Sequence, residues 1–537
     1  MKRTNKVLSI LLVLVFCFAA IAPAASAEGI VEAKTFAISS PYANVNWLAD
    51  KQYKTALQNH TNASDADITL RQSIQRHIEC GYDAVAITDS STVNTSWAEE
   101  NFTNIVHKGF DIVANIKSLL EKNPEIVVKA LDYLGTSGSF ANGMTYTLAA
   151  NGAGDDILTV DTGNGTKEVL RVPFGDEQNG FNAKAHMTSW FADYNTTVAY
   201  ADYSTIASNV GTNYGLCVVN HPGEFSKANC ELNSASAYNN ENVSNWYFNN
   251  KIATLLNSYK SCVGLVVNSA NDTTTRFDRV LWDEMLKRFS LAGENVFGFA
   301  TSDAATLAAV DTAYVQAIMP ELSSAALKNA LANGQFFSVT NSIGNPEELT
   351  EIAASLKEFY GEDDLYMNVN SVAAALTRRA QRIANGELGA DEILKNVYTT
   401  LDKDGNATAA APAIKAVATD DVAQTITISA DNALLVRWIS DGKLVATTKV
   451  EDGTSTLNLA GVADKLGNYI RAEIFGEGGL VYTQAFLLNA QANAVANVVD
   501  IDSRFVDLGA FDFIIPVIAK WVDIFRRIPA ALGITKK

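Results

Sequence analysis

The chain contains few histidines, cysteines and prolines for its length. Its 537 residues include 5 His, 5 Cys and 10 Pro. So little cysteine excludes a small disulfide-stabilised scaffold, and so little proline excludes a proline-rich low-complexity chain. The cysteines form neither a CxxC pair nor a metal-type spacing, so no cysteine zinc site is expected. With so few histidines, the surroundings of each one can be weighed separately.

Positive charge is also scarce. The chain has 41 Lys and Arg against 59 Asp and Glu, which gives a net charge of −18 at pH 7. Such a surface repels phosphate backbones, and we therefore expect no nucleic-acid partner. With 48% hydrophobic and 19% charged residues, the composition indicates a well-filled globular interior divided among several domains.

The first 27 residues have the pattern of a secretory signal peptide. Basic residues precede a compact apolar run, Val7–Ala20, and the small-residue cleavage motif Ala25-Ser26-Ala27 follows. The run is shorter than the ~20 residues of a membrane span. We expect cleavage near Ala27 and a secreted or extracytoplasmic protein. The sequence leaves open whether the four remaining cysteines are bridged: Cys80, Cys217, Cys230 and Cys262.

Helical and strand-like segments alternate in the first part of the mature chain. The clearest examples are a helix at Leu70–Glu79, a strand at Ala84–Thr88, a helix at Lys251–Ser258 and a strand at Val263–Val267. Such alternation is typical of an α/β unit with parallel strands. We place this unit at residues 48–345, with a helical insertion near 104–134.

Three further regions follow this α/β unit. Residues 346–411 form a helical insertion and linker, and the period-two pattern of residues 412–490 predicts a small β-sandwich. Residues 500–537 predict an amphipathic helix whose charges, including Lys520 and Arg526, argue against a transmembrane span. Docking on this chain, binding to a membrane surface and self-association all remain open for the helix.

Polar residues of the types that bind metals follow successive strand-like runs. They are His60, Asp89, Glu177, His221 and Asp303, and His186 lies nine residues after Glu177. The carboxyl ends of parallel strands in a barrel meet on one face, where active sites form. This recurrence predicts a site built from histidines and carboxylates.

The short motifs around these residues resemble those of the PHP family, the polymerase and histidinol phosphatase domain, and especially its secreted members with a C-terminal β-sandwich. The matching segments are Gln58-Asn59-His60, Ser64-Asp65-Ala66, Thr88-Asp89-Ser90, Gly175-Asp176-Glu177, His186, His221-Pro222 and Ser302-Asp303-Ala304-Ala305. The resemblance covers about residues 53–342 and 413–489. It implies a distorted (β/α)7 barrel followed by a small all-β sandwich and the C-terminal amphipathic helix.

The resemblance also implies a set of site residues. The metal ligands carried over are His60, Glu177, His186, His221 and Asp303. Glu177, His221 and Asp303 would also be catalytic, and Gln58, Asp65 and Asp89 would support the ligands. The metal motifs are partly degenerate, since three expected ligands are replaced by Gln58, Ser90 and Ala305.

Two functions remain open at this point. The retained ligands suit one or two divalent ions, Zn, Mn or Fe, because imidazole favours these metals over Ca. The first hypothesis is an exported hydrolase of phosphate or related esters, in small molecules or polymers, that uses water activated between two metals. The alternative is a catalytically degenerate barrel that acts as an extracellular binding or scaffold protein, which the three replaced ligands favour.

Overall fold

The structure is a computed structural model that describes most of the chain. The described residues are 34–64, 66–98, 132–179, 186–194, 202–223, 238, 243–269, 272–361, 382, 385–387, 398–490, 498–515, 517–518 and 520. The predicted signal peptide, most of the predicted insertion near 104–134, Asp65 and Cys230 lie outside them.

Twenty-four strands are present in the described part of the chain. They are β1 Phe36–Ser39, β2 Lys51–Ala56, β3 Ala84–Val85, β4 Ser137–Ser139, β5 Thr145–Ala150, β6 Asp156–Asp161, β7 Thr166–Arg171, β8 Asp176–Asn179, β9 His186–Trp190, β10 Leu216–Val219, β11 Cys262–Asn268, β12 Phe297–Ala300, β13 Ala313–Met319, β14 Phe336–Thr340, β15 Ser342–Ile343, β16 Tyr398–Thr399, β17 Ala413–Asp420, β18 Thr425–Asp431, β19 Leu435–Ser440, β20 Lys443–Lys449, β21 Thr454–Asn458, β22 Tyr469–Gly476, β23 Gly479–Tyr482 and β24 Phe486–Ala490.

The helices lie mainly between these strands. They are α1 Leu70–Glu79, α2 Tyr203–Thr212, α3 Val243–Ser258, α4 Asp272–Thr275, α5 Asp278–Ser290, α6 Ser324–Asn333 and α7 Pro346–Tyr360, with 3₁₀ helices at Leu307–Ala309, Leu459–Lys465 and Gly509–Ile514. The predicted helix Leu70–Glu79 and the predicted strand within β11 are confirmed. The helix predicted at Lys251–Ser258 is also present, although it begins eight residues earlier, at Val243.

Helix α1 shows why these segments adopt their structure. The Thr69 side chain accepts a hydrogen bond from Gln72 N, and the Gln72 side chain accepts one from Thr69 N, which forms a capping box. Leu70, Ile74 and Ile78 recur at a spacing of four and are buried against the sheet. Capping and the apolar stripe therefore fix both the start and the orientation of the helix.

Most strands belong to two mixed sheets. The larger sheet has 14 strands, with the order β1-β24-β22-β23-β14-β13-β2-β3-β7-β6-β5-β4; β19 also pairs with β22, and β20 pairs with β19. The smaller has 5 strands in the order β12-β11-β10-β9-β8. Pairs β2/β3, β3/β7, β10/β11 and β11/β12 are parallel, whereas β2/β13, β9/β10 and β8/β9 are antiparallel.

The predicted (β/α)7 barrel is not closed by strand pairing, and this part of the prediction is corrected. The outer edge of β7 pairs with β6, and the outer edge of β13 pairs with β14. Neither edge is then available to the five-stranded sheet. The two sheets are joined instead by single hydrogen bonds, such as Phe191 N to Pro173 O at 2.8 Å and Ser338 Oγ to Gly298 O at 2.7 Å.

The C-terminal strands are continuous with the first part of the chain. Strand β14 pairs with β23, with Ser338 opposite Tyr482, so the large sheet runs from one region into the other. A single core cluster contains Ile318 and Phe337 from the first region and Trp438 and Ile474 from the second. The two regions therefore share one hydrophobic core. The predicted residue bounds of the domains remain predictions.

Two of the cysteines lie side by side within the five-stranded sheet. Cys217 in β10 is the register partner of Cys262 in β11, and both are buried. Together with the half-buried Cys80 they are free thiols. Burial raises the pKa of the Cys217 thiol well above its ordinary value, which makes it unreactive.

A buried ionic network connects helix α5 with strand β22. The Arg471 guanidinium binds Asp283 through two hydrogen bonds of 2.8 Å, from Nε to Oδ1 and from Nη2 to Oδ2. Tyr469 Oη also donates to Asp283 Oδ1 at 2.9 Å, and Arg471 Nη1 donates to Glu473 Oε1 at 2.7 Å. Paired hydrogen bonds of this kind satisfy the carboxylate that burial has removed from water.

The network continues from Glu473 to helix α7. Arg437 binds both Glu473 and Glu348, and Glu348 Oε2 lies 3.1 Å from Arg279 Nη2. Arg279 Nη1 in turn lies 2.7 Å from Asp272 Oδ1. Alternating charges therefore join α4, α5 and α7 to β19 and β22, so that each of these buried side chains has an oppositely charged partner.

The described part of the C-terminal segment is only partly helical. Residues 500–508 have no helix, and the first helical turns are the 3₁₀ helix Gly509–Ile514. Tyr247 Oη donates to Asp507 Oδ1 at 3.2 Å, and Phe505 packs against the Tyr247 ring. In the described parts of the chain, every helix is too short or too polar to cross a bilayer.

Removal of one charge from the network is expected to destabilise the fold strongly. Asp283→Ala removes the carboxylate that binds Nε and Nη2 of the buried Arg471 and leaves it only the Glu473 contact, so the free energy of unfolding should fall by about 3–5 kcal/mol. Glu294→Ala is the matched control, because its partner Lys260 is 65% exposed, and it should change stability by about 0–1 kcal/mol. Urea unfolding measures both variants. Equal losses in the two would contradict this role for the network.

Candidate metal centre

The ends of several strands bring the candidate ligands together. His60 follows β2, Glu177 lies in β8, His186 begins β9, His221 follows β10 and Asp303 follows β12. Two groups of three have ligand atoms within 4.8 Å of one another: Glu177, His186 and His221, and His60, Glu177 and Asp303. Glu177 belongs to both groups. The chain therefore places all five predicted ligands in one cluster.

The first group forms around one oxygen of the Glu177 carboxylate. His186 Nδ1 lies 3.0 Å from Glu177 Oε1, and His221 Nε2 lies 3.8 Å from the same atom. The two imidazole rings meet edge to face, with centroids 5.3 Å apart. Asn220 Nδ2 donates to Glu177 Oε1 at 2.9 Å. The same nitrogen also donates to Thr188 Oγ1 at 2.7 Å.

The second group uses the other carboxylate oxygen. His60 Nε2 lies 2.7 Å from Glu177 Oε2 and 3.2 Å from Asp303 Oδ1. Gln58 Nε2 donates to the same two oxygens, at 3.3 Å and 3.0 Å respectively. Asp303 Oδ2 faces His221 Nε2 at 3.7 Å. The two oxygens of Glu177 are thus divided between the two groups.

Burial differs across the cluster. Gln58, His60, Glu177 and His221 are almost completely buried. The Asp303 side chain is 32% exposed, and that of His186 is 28% exposed. Asp303 and His186 therefore form the side from which a solute can approach, while the others form the floor.

Glu177 remains ionised in this environment. Burial by itself would raise its pKa, but hydrogen bonds and positive charge from His186 and His60 hold the pKa well below its ordinary value. A cation that bound this carboxylate would replace the protons on His186 and His60, because a histidine ligand has to be neutral.

Two of the clustered residues have unusual backbone conformations. His221 has φ 21° and Asp303 has φ 46°, in a region that side chains with a Cβ rarely occupy. Such strain persists only where the surrounding structure enforces it, and it is concentrated at functional sites. Here it turns both side chains toward Glu177 directly after their strands.

Asp89 supports the loop that follows His60. Its carboxylate accepts hydrogen bonds of 2.7 Å from Thr61 N, Thr61 Oγ1 and Ser64 Oγ. Ser64 Oγ also lies 3.5 Å from His60 Nδ1. Asp89 therefore reaches His60 through one hydroxyl group, while the other predicted supporting residue, Asp65, lies outside the described residues.

The remaining replaced positions are close to the cluster. Ser90 forms an isolated parallel bridge with Glu177, and Ser91 N donates to Glu177 O at 2.7 Å. Ala305 directly follows Ala304, whose carbonyl accepts from His60 N at 2.9 Å. Neither Ser90 nor Ala305 carries a strong metal ligand. The backbone beside Ser90 and Ala305 instead forms the hydrogen bonds that hold Glu177 and His60 in place.

His77 is a residue whose contribution the sequence did not reveal. It is fully buried, with Nε2 3.0 Å from Asn59 Oδ1 and Nδ1 2.7 Å from Ser73 O. Ser302 Oγ donates to the same Asn59 oxygen at 3.1 Å. This chain of contacts links α1 to the residues beside His60 and Asp303. The sequence did contain one indication that His77 is buried, because it lies three residues after Ile74, on the apolar face of α1.

The buried carboxyl of Asp176, next to Glu177, makes the stability of the fold depend on pH. Burial raises its pKa to about 6, although Tyr194, Gln178 and Thr92 N donate hydrogen bonds to it. The folded state therefore holds this proton more tightly than the unfolded chain, whose ordinary value is 3.8. The stability that depends on Asp176 must fall as the pH rises through this interval.

We expect Asp176→Asn to remove this dependence. The difference in unfolding free energy, wild type minus variant, should decrease between pH 3.8 and about 6 and be constant above it. Urea titrations at a series of pH values, with a chelator present, measure this difference. A difference that stays constant or increases across the interval would show that the carboxyl ionises at its ordinary pKa.

Comparisons with known proteins give no match in sequence. No family model and no curated protein matches the chain. Among solved structures, the chain is similar to a two-domain protein from Bacteroides vulgatus described as containing a predicted PHP-like metal-dependent phosphoesterase, with 12% identity, TM-score 0.34, and 87% of this chain and 96% of that chain covered.

Two further similarities are to structures of endonuclease Q. The lesion-specific endonuclease Q of Pyrococcus furiosus has 9% identity and TM-score 0.26, with 52% of this chain and 56% of that chain covered. An endonuclease Q complex with a 27-mer duplex containing an abasic lesion gives 9% identity, TM-score 0.27 and the same coverage. Superpositions this loose carry no functional argument, so the functional interpretation depends on the geometry of the cluster.

Proposed function

We propose that the protein is a metal-dependent hydrolase of phosphate or related esters. The observation that supports this most directly is the position of Glu177, whose two carboxylate oxygens face separate groups of ligand atoms. Its oxygen Oε1 lies near His186 and His221, and Oε2 lies near His60. Imidazole nitrogen and carboxylate oxygen are the donors that Zn, Mn and Fe accept in proteins.

The residues fit a divalent cation by the chemistry of their donors. Glu177, His186 and His221 would hold it, and His60 and Asp303 lie next to it. A bound divalent ion supplies a Lewis acid that lowers the pKa of water and stabilises negative charge on an ester. Ser64 and Asp89 fix the His60 ring and its loop.

The open side of the cluster determines how a substrate would approach. Asp303 and His186 are the only two partly exposed members of the two ligand groups. An ester bound there meets Asp303 first, and the Asp303 carboxylate can accept a proton from an attacking water. The buried His221 and Glu177 hold their positions beneath it without contact with bulk solvent.

The setting of the reaction is also a proposal. Export after cleavage near Ala27 would place the enzyme outside the cytoplasm, acting on a small-molecule or polymer ester. The net charge of −18 supports the expectation of no nucleic-acid partner. That expectation remains a prediction.

Loss of a ligand should abolish both metal binding and turnover. His221→Ala and Glu177→Gln are each expected to lower kcat/KM for a generic phosphodiester by at least about 100-fold in Mn²⁺ or Zn²⁺. Asp404→Asn, which changes a well-exposed carboxylate that pairs with Lys403, is the control and should keep full activity. Activity assays and metal analysis of the same purified samples provide the test.

The possible outcomes separate the two functions that the sequence left open. Bound metal without turnover of any ester would favour the alternative, an extracellular binding or scaffold protein, which the hydrogen-bonding role of Gln58 also favours. The absence of both bound metal and metal-stimulated hydrolysis in the wild-type protein would rule out the enzymatic proposal.

We also propose that the C-terminal segment binds an anionic membrane surface. Val506, Phe511 and Val517 are exposed apolar side chains at its start. Basic residues, including Lys520 and Arg526, follow in the sequence of an otherwise acidic chain. An apolar stripe with basic residues is typical of helices that lie at the membrane interface.

Deletion of residues 516–537 tests this proposal, because it keeps the Phe505 and Asp507 contacts with Tyr247. The full chain should sediment with vesicles that contain anionic lipid, and the shortened chain should remain in the supernatant. Neutral vesicles are the control. Equal sedimentation of both chains would contradict membrane binding, and a concentration-dependent increase in mass of the full chain alone would indicate self-association instead.

A further inference from the structure

We infer that the side-chain amide of Gln58 occupies the place of a second cation, so that the cluster binds one divalent ion at Glu177, His186 and His221. This inference rests on the proposed function, since it specifies the number of ions at the same site. It follows from a difference between the two ligand groups, which share Glu177 but contain different amide contacts.

The Gln58 amide lies between two ligand atoms of the second group. Gln58 is completely buried. Its Nε2 donates to Asp303 Oδ1 at 3.0 Å and to Glu177 Oε2 at 3.3 Å. A donor that spans two carboxylates uses the lone pairs that a cation between them would need. The partial positive charge of the N–H groups also offsets the repulsion between the two carboxylates.

The orientation of this amide is fixed from its other end. Thr301 Oγ1 donates to Gln58 Oε1 at 2.7 Å. If the amide turned over, its oxygen would face two carboxylate oxygens at about 3 Å, an arrangement of acceptors that has no hydrogen to share. The carboxylates and Thr301 therefore favour the same orientation, with the N–H groups directed into the second group.

The amide in the first group is placed differently. Asn220 Nδ2 contacts Glu177 Oε1 but no other ligand atom of that group, and its second partner is Thr188 Oγ1. A hydrogen bond of this kind orients a carboxylate ligand without taking the position of the ion. The Asn220 amide therefore does not lie between Glu177, His186 and His221 as the Gln58 amide lies between Glu177 and Asp303.

The distances between ligand atoms give the same distinction. Ligands about 2.1 Å from a tetrahedral ion lie about 3.4 Å from each other. The His186 and His221 nitrogens are 3.0 Å and 3.8 Å from Glu177 Oε1, on either side of that value. His60 Nε2 lies 2.7 Å from Glu177 Oε2, which is too close for two ligands of one ion. The 3.0 Å contact of His186 is also a hydrogen bond, but it is nearer to the ligand spacing.

Even a rotated Gln58 would be a weak ligand. It could offer only a neutral amide oxygen, which Zn, Mn and Fe bind less strongly than imidazole nitrogen. The ion at the first group would already have reduced the negative charge of Glu177, the residue that both groups share. A second ion is therefore disfavoured by the ligand type, by the amide position and by charge.

Metal stoichiometry tests this inference without any assay of activity. The full-length protein, stripped with chelator and titrated with Mn²⁺ in a calorimeter, should bind about one equivalent tightly. Gln58→His should bind about two, because imidazole replaces the amide at the second group. His221→Ala is the control for the first group and should lose the tight equivalent. Paramagnetic resonance should show an isolated Mn²⁺ in the wild type and a spin-coupled pair in Gln58→His.

Gln58→Glu provides a second variant of nearly the same shape in case the histidine variant does not fold. It should also gain an equivalent, because it supplies a carboxylate oxygen in place of the N–H donor. Two tight equivalents in the wild type, or one in a folded Gln58→His and a folded Gln58→Glu, would overturn the inference and leave the proposed hydrolase intact. No tight equivalent in the wild type would overturn the proposed function as well.

Discussion

The structure of the cluster depends on one buried carboxylate, that of Glu177, which contacts histidines from three separate segments of the chain. The carboxylate would be costly to bury alone, and the hydrogen bonds from His60 and His186 compensate for its removal from water. Because Oε2 faces His60 and Oε1 faces His186 and His221, the end of β2, the start of β9 and the end of β10 have to converge on β8. The positive φ angles of His221 and Asp303 are the local cost of that convergence.

A second set of buried charges holds the C-terminal strands on the first part of the chain. Asp283, Arg471 and Glu473 lie at one end of a chain of ion pairs that reaches Asp272 at the other. Together with the β14/β23 pairing and the shared core, this network makes the predicted sandwich strands part of the structure that frames the cluster. The C-terminal strands therefore brace the sheet that carries β2 and His60.

The sequence predicted the convergence better than it predicted the sheet. His60, Glu177, His221 and Asp303 could be identified because polar residues after apolar runs are a local pattern. The open barrel could not be identified in this way. It results from the pairing of β7 with β6 and of β14 with β23, and the sequence of a single strand does not specify which strand it pairs with. Gln58 was predicted to support the ligands, but its hydrogen-bond partners and those of His77 could not be predicted, because they include residues distant in sequence.

The most direct test of the central claim is an anomalous difference map, recorded at the absorption edge of Mn or Zn, from crystals of the purified protein grown with that metal. The account predicts a strong peak between Glu177 Oε1, His186 Nδ1 and His221 Nε2, at about 2.1 Å from each atom. A map with no peak there, or with these three side chains directed into separate regions, would contradict it.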